Sequence, residues 1–534
     1  MSRVQRAWGE SPFYQSRLKG PSPDRLYFHP KDPRGFDKAF AISFAEGAMS
    51  LGDDTLDCEG ELAEIWAKTK PGGAMFTFLQ EFSWLRHLDA LGEKGRAPAR
   101  AYLKAWLDRY EKWAPDVWEP FQTSERLFNL CCFTPLVLSG TDALWRSRVL
   151  TAMARQTRHL ARVAHRPSAS YDRLMAAMNL AIAGFCLPGC DKQGARGLEL
   201  VRRELRLQLL PDGAHAGRNP SRQLAIALRL QAILAAMKAR NLPAPGYVRH
   251  MTMRASAIVQ FFRCADGKLA VFNGGYEDDG LAVAAARSIA DNDAAPMDFA
   301  RHAGYQRLSS ARALVILDVA SKTKTTREKY DSTGSFHFSS GRARIVANCG
   351  GGAHLGQDWL SALRARGAHS ALSFDDIDAD ALQFGETSHR RGESPQGFLA
   401  EVDCTLALRD APAPAHYRRR LFLAASGDDL RGEEEITGLG PAFLQAARWR
   451  FHLHPDVRAS MARDGRSVLL ALPNKEGWRF RANCRAIALE KSVYCGAGGA
   501  PAASEQIVLS ADPAMPLEND AIKIKWAFKR LAAG

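Results

Sequence analysis

The chain has 534 residues, of which 46% are hydrophobic and 24% charged, and it carries a formal net charge of +14. That composition excludes a disordered or fibrous chain and suits a soluble protein of two or three globular domains. The positive surplus points to an acidic partner, and the scattering of the arginines without a basic block argues for a lined cleft over a basic tail. The ten cysteines, among them the adjacent Cys131 and Cys132 and the pair Cys186 and Cys190, have no zinc-type spacing. In a chain this long, thiols so sparse imply a reducing compartment. Met1–Glu10 has no apolar signal region and no apolar run reaches the length of a membrane span, so a cytoplasmic protein is expected, with the periplasm as the alternative.

In chain order, residues 1–60 read as an irregular leader rich in Pro, Gly and Asp. Helical periodicity begins near Gln80, where Phe82, Leu85 and Leu88 recur before Gly92. Leu103, Trp106, Tyr110 and Trp113 form one stripe within 101–113, and further helices are predicted at 124–138, 147–165, 174–186, 195–208 and 222–240. Past Leu308 the period falls to two, with strands predicted at 313–319, 335–338, 344–348, 398–408, 417–424, 467–472, 478–484 and 522–528. Helices come first and sheets second, with the change between Asp291 and Arg307. Residues 61–303 are expected to form a helical domain and residues 304–534 an antiparallel β-sandwich.

Several stretches carry candidate chemistry. Arg364–Phe374 reads as a basic approach, a Gly turn and a strand opening at His369. On the strand read at Arg448–Pro455, Arg448, Arg450, His452 and His454 share one face and Trp449, Phe451 and Leu453 the other, a row suited to an acidic ligand. The loop Pro211–Ser221 presents His215, Arg218 and Asn219, donors that match a sugar carboxylate, although Asn219-Pro220 also reads as a helix start. Tyr171 and Arg173 precede an apolar helix, where a tyrosine beside a cation can move a proton and Ser170 or Asp172 can equally serve as a cap. Cys264–Gly275 reads as a hairpin with Asn273 beside flexible glycines, or as a plain turn. Dinucleotide, P-loop, serine-hydrolase and zincin motifs are missing.

Pro23–Leu26, Phe82–Arg86, Leu210–Pro220, Phe272–Gly274, Gly304–Leu308, Val346–Gly350, Ala368–Ser370, Asp428–Glu433 and Arg450–Pro455 together resemble the heparinase II/III-like family of polysaccharide lyases, in its signal-less alphaproteobacterial branch. The resemblance implies an incomplete (α/α) toroid followed by an antiparallel β-sandwich. It also implies β-elimination on a uronic-acid glycan at the interface of the two domains. That chemistry needs a neutraliser for the uronate carboxylate, a base for the adjacent C–H and an acid for the leaving oxygen. His369 matches a histidine of this machinery, Tyr171 or Tyr305 is the expected acid, and Arg173, His215, Arg218, Asn219, Asn273, Arg450 and His454 are the expected substrate contacts. His452 matches a histidine that some relatives keep near a metal, so no cofactor is required but a divalent ion (Zn or Ca) in the sandwich is allowed. The pattern departs at Tyr171-Asp172-Arg173, where relatives carry an Asn-His or Asn-Arg pair, and at Ser332-Thr333-Gly334, where they carry His-x-Gly.

The expected partner is an acidic polysaccharide or oligosaccharide, with no nucleic acid and no membrane span; a homodimer stays open. A catalytically altered glycan-binding or envelope-polysaccharide assembly protein is the second reading. A glycoside hydrolase using Asp212, Asp375 or Asp376 is the third.

Overall fold

A computed structural model describes residues 8–52, 54–287, 295–321, 330–377, 381–409, 413–484, 486–511 and 521–532. The chain divides into two compact units, Met1–Leu209 with Ala225–Met253, and Leu210–Leu224 with Arg254–Gly534.

The first unit is helical. Its leader holds two short helices, Pro12–Arg17 and Lys38–Ala45, and a hairpin pairing Ala48–Leu51 with Asp54–Asp57. The long helices run over Glu93–Tyr110, Pro120–Leu138, Ala143–Val163, Ser170–Cys186 and Asp191–Gln208, the last four each starting about a turn before the predicted bound and the first about two turns before it. Except for Ala143-Leu144-Trp145, those first turns are polar or Pro-led, so periodicity misses them, and two have plain caps. Asp142 Oδ1 accepts the Trp145 N–H at 2.8 Å, and Glu119 Oε2 accepts the N–H groups of Phe121 and Gln122 at 2.8 and 3.1 Å. Helices Ser170–Cys186 and Asp191–Gln208 touch backbone to backbone, because a Cβ on Gly184 would lie 2.2 Å from the Gly194 nitrogen.

The second unit is built on antiparallel sheets. An eight-stranded sheet runs in the order Arg458–Met461, Ser467–Ala471, Gly477–Ala482, Ala521–Arg530, Asp429–Thr437, Ala415–Ala424, Gly397–Leu408, Leu382–Ser394. A four-stranded sheet holds Ala486–Tyr494, Ala502–Ser510, Ala447–His452 and Leu372–Phe374, and a five-stranded sheet runs from Phe299–Ala300 to Ala343–Val346. One core joins all three: Phe336, Leu372, Trp449, Phe451, Trp478 and Trp526 are all buried in it. By area, each buried tryptophan contributes roughly 4–6 kcal/mol before conformational entropy is subtracted. Alternation on Ala447–His452 turns Trp449 and Phe451 inward as predicted. The strand expected to open at His369 starts instead at Leu372, after a 3₁₀ turn over Arg366–Ala368. Within the change of period read at Asp291–Arg307, residues 288–294 lie outside the described residues; the last helix before it ends at Arg287.

All ten thiols are free, and among the described residues no helix is long and apolar enough to cross a membrane.

Candidate functional site

In the second unit, the loop Pro211–Ser221 is clamped rather than open. Asp212 Oδ2 accepts the N–H groups of His302 and Ala303 at 2.8 Å each, and His215 Nδ1 accepts the Gly217 N–H at 3.1 Å. Arg218 adopts a left-handed backbone (φ 55°), donates from Nε to the Ala303 carbonyl at 2.7 Å, pairs with Asp318 through Nη2, and lies 4.5 Å over the Tyr305 ring. Asn219 caps the helix Pro220–Ala239, its Oδ1 accepting the Arg222 N–H at 3.0 Å while its Nδ2 donates to the Asn273 carbonyl at 2.9 Å. Asn273 Nδ2 meets the Tyr305 hydroxyl at 2.7 Å, and Ser332 Oγ lies 2.7 Å from both Asn273 Oδ1 and Asp318 Oδ2. The Tyr305 hydroxyl donates to the Arg218 carbonyl at 3.1 Å, which closes the ring.

The structure brings Arg218, Asn219, Asn273 and Tyr305 together in one hydrogen-bonded ring. Tyr305 is fully buried, and burial raises its hydroxyl far above the ordinary tyrosine range. Arg218 pairs with Asp318, and Asn219 uses its side-chain oxygen as a helix cap.

The row on Ala447–His452 is paired in the same way. Arg450 donates to Asp375 Oδ1 at 2.6 Å and lies 3.6 Å from Glu490, and Arg448 lies 3.4 Å from Asp375. His454 Nε2 contacts Glu277 at 3.0 Å, a carboxyl also held by Lys268 and Tyr494, each at 2.7 Å. The cations expected to face an acidic ligand face the chain's own carboxylates. His452 is not available to a metal: Nδ1 contacts Ser492 Oγ at 2.8 Å and Nε2 the Gly367 carbonyl at 2.9 Å. Among the described residues no group of three or more His, Cys, Asp or Glu is arranged to hold an ion, so the residues present do not fit the divalent metal that the resemblance allowed.

His369 is different. Its ring is 2% exposed, yet neither Nδ1 nor Nε2 has a hydrogen-bond partner among the described residues. Burial lowers its pKa to about 3, so the imidazole is neutral at physiological pH. The segments around it are fixed. The fully buried Arg419, paired with Glu434 at 2.9 Å, donates to the Ser370 carbonyl at 2.8 Å and the Gly334 carbonyl at 2.6 Å. Arg366 donates to Asp331 at 2.9 Å and to the Thr333 carbonyl at 2.7 Å. The nearest ring is that of Tyr330, 6.2 Å from His369 and nearly perpendicular to it. Tyr330 lies against Gly274, where a Cβ would fall 2.0 Å from its hydroxyl oxygen. The periodicity gave no sign of Tyr330, whose one pointer was its place just before Ser332-Thr333-Gly334.

In the helical unit, Tyr171 is partly exposed in the first turn of Ser170–Cys186. Arg173 donates to the carbonyls of Pro167 and Ser168 at 3.0 and 3.1 Å and lies 3.4 Å from Glu204, so it too is engaged. A polar cluster overlooked by the sequence reading lies in the same unit. Arg229 pairs with Glu125 at 2.9 Å and bonds Asn179 at 2.9 Å, while Arg34 pairs with Asp32 and donates to Asn129 at 2.9 Å. Beside them, Glu81 is raised to about 8 by burial and by Glu125, and Arg86 is lowered to about 10 by burial and by Arg34. Phe82, between the two, is held at φ 58°, a conformation rare for a bulky side chain.

Residues 292–527 match the family model described as Heparinase II/III-like, C-terminal. Over 556 residues the chain is 28% identical to FtsZ-localized protein C of Caulobacter vibrioides (strain NA1000 / CB15N), spanning 98% of this chain and 93% of that protein. Among solved structures, it resembles the heparan sulfate lyase HepC mutant from Pedobacter heparinus, with a TM-score of 0.58 and 13% identity over 98% of this chain and 88% of that one. Heparinase III gives a TM-score of 0.63 at 13% identity over 88% and 79% of the two chains. The likeness shows a shared fold, a helical domain followed by an antiparallel β domain.

Proposed function

We propose that this chain, whose residues 292–527 match the family model described as Heparinase II/III-like, C-terminal, acts on a uronic-acid glycan by β-elimination, with His369 as the group that takes the proton. The observation that carries this reading is the bare His369 ring. A buried imidazole with neither nitrogen bonded is costly, by about 1–3 kcal/mol for each unsatisfied polar group, and such a cost persists where a ligand completes the site. A neutral imidazole can accept the proton next to a uronate carboxylate, and Tyr330, its ring 6.2 Å away, is the phenol we assign to the leaving oxygen. Tyr171, on the helical unit, keeps its place as a further acid to be tested by substitution. The acidic polysaccharide substrate suits the net charge of +14.

A second reading rests on the pairing of Arg173, Arg218, Arg450 and His454 with the chain's own carboxylates, and on Ser332 standing where relatives carry histidine. It makes the protein a catalytically altered glycan binder, and the Caulobacter relative, an FtsZ-localized protein, adds localisation with FtsZ to that reading. The glycoside hydrolase reading weakens, because Asp212 is bonded to backbone N–H groups and Asp375 to two arginines. The experiment is absorbance of newly formed unsaturated uronate ends, with the purified protein against a panel of anionic polysaccharides and His369→Ala alongside. Product from wild type alone supports elimination at His369. Binding without product from either protein supports the second reading.

A further inference from the structure

The helical unit contains a cavity of about 590 Å³ lined by Trp8, Trp113, His159, Arg162 and Arg166, none of which the reading above uses. Its size falls within the range of small-molecule sites. The floor is rigid: the Tyr14 hydroxyl lies 2.6 Å from His159 Nδ1, and His159 Nε2 lies 2.9 Å from the Trp118 carbonyl. Trp113 forms one wall and packs flat on Gly9, where a Cβ would fall 2.5 Å from the indole. Trp8, 47% exposed, stands at the same cavity.

Three arginines, Arg17, Arg162 and Arg166, also line it, and among the described residues none of them has a carboxylate within ion-pair distance. The contrast along one helix is sharp. On Ala143–Val163, Arg148 pairs with Asp108 at 2.7 Å and Arg155 lies 3.9 Å from Glu111, whereas among the described residues Arg162 donates only to the Arg17 carbonyl, at 3.3 Å. Two carboxylates, Asp116 and Glu119, share the cavity, and Glu119 uses only Oε2 for its helix cap.

We propose that this cavity is a second carbohydrate site, which takes an acidic sugar with its carboxylate or sulfate on Arg162 and Arg166 and its apolar ring face on Trp113 and Trp8. Guanidinium groups match planar and tetrahedral oxyanions, and a tryptophan face suits the C–H side of a pyranose. Glu119, whose cap uses Oε2 alone, leaves Oε1 to accept a sugar hydroxyl. The site belongs to the helical unit and does not depend on His369.

The test is tryptophan fluorescence and calorimetric titration of the full chain in the His369→Ala background, so that no cleavage consumes the probe. The probes are tetragalacturonate, a sulfated heparin tetrasaccharide, neutral maltotetraose and ATP. Binding of an acidic tetrasaccharide that falls at least tenfold in Arg162→Gln/Arg166→Gln, and loses its fluorescence change in Trp8→Ala, is the expected result. All three side chains are exposed, or nearly half so, and the variants keep the fold. Undiminished binding by the double variant, tighter binding of ATP than of either acidic sugar, or no binding of an acidic probe overturns the proposal.

Discussion

Two neighbourhoods of the second unit are made from similar residues and behave in opposite ways. Around Arg218, Asp318, Ser332, Asn273 and Tyr305 close a ring of hydrogen bonds. Around His369, the backbone is pinned by Arg419 and Arg366 while the imidazole is left bare. The difference separates architecture from chemistry. A closed network stabilises a fold, whereas a positioned group with unused bonding capacity is ready for a ligand.

The comparison can be broken most forcefully at Asp318. Its removal in Asp318→Ala strands the buried Arg218 charge, and a loss of about 3–5 kcal/mol is expected in chemical denaturation. A loss below 1 kcal/mol would show that the ring is not structural. Gly274→Ala comes next. Its left-handed backbone (φ 73°) and the overlap with Tyr330 predict about 1–3 kcal/mol of destabilisation, with Tyr330 displaced from His369. Unchanged stability and glycan response in that variant would remove Tyr330 from the account.

The pH dependence sharpens the same contrast. Burial lowers His369 to about 3 and His452 to about 4, against an ordinary value near 6.5, so the unfolded chain binds more protons between those limits. Their contribution is complete above pH 6.5 and is lost as pH falls toward 4, at roughly 1.4 kcal/mol per pH unit for each group. Glu81, raised to about 8, has the opposite sign: its contribution is present below about 4.5 and lost as pH rises through 8. Replacing His369 by Gln should flatten the stability slope between pH 5 and 6.5 by one histidine's share; an unaltered slope would mean the ring is not buried neutral. The smallest effect is at the cap, where Asn219→Ala should cost about 1 kcal/mol and leave glycan binding unchanged. Lost binding at full stability would restore Asn219 as a substrate contact.

The order of helices and then strands was legible because apolar spacing reports which face is buried. Strands Leu382–Ser394 and Ala486–Tyr494 escaped because each is the edge of its sheet, carrying solvated residues such as Glu386, Arg390, Glu490 and Lys491 that blur alternation. The residues of the Arg218 ring were legible as polar and close in kind, but their role was not. The partner that neutralises Arg218 is Asp318, separated from it by 100 positions, and no local spacing announces it. Likewise Asp375 and Glu277 reach Arg450 and His454 from 75 and 177 positions away. His369 was found by resemblance, and only the structure shows that its nitrogens are bare.

The most direct test combines both halves of the claim in one preparation: the amount of unsaturated uronate formed by His369→Ala at a measured unfolding midpoint. The account predicts a stability within about 1 kcal/mol of wild type or above it, since the variant removes two unsatisfied nitrogens, together with a 10²–10⁴-fold loss of product, the range of a lost general acid or base. Full product formation by His369→Ala would contradict it.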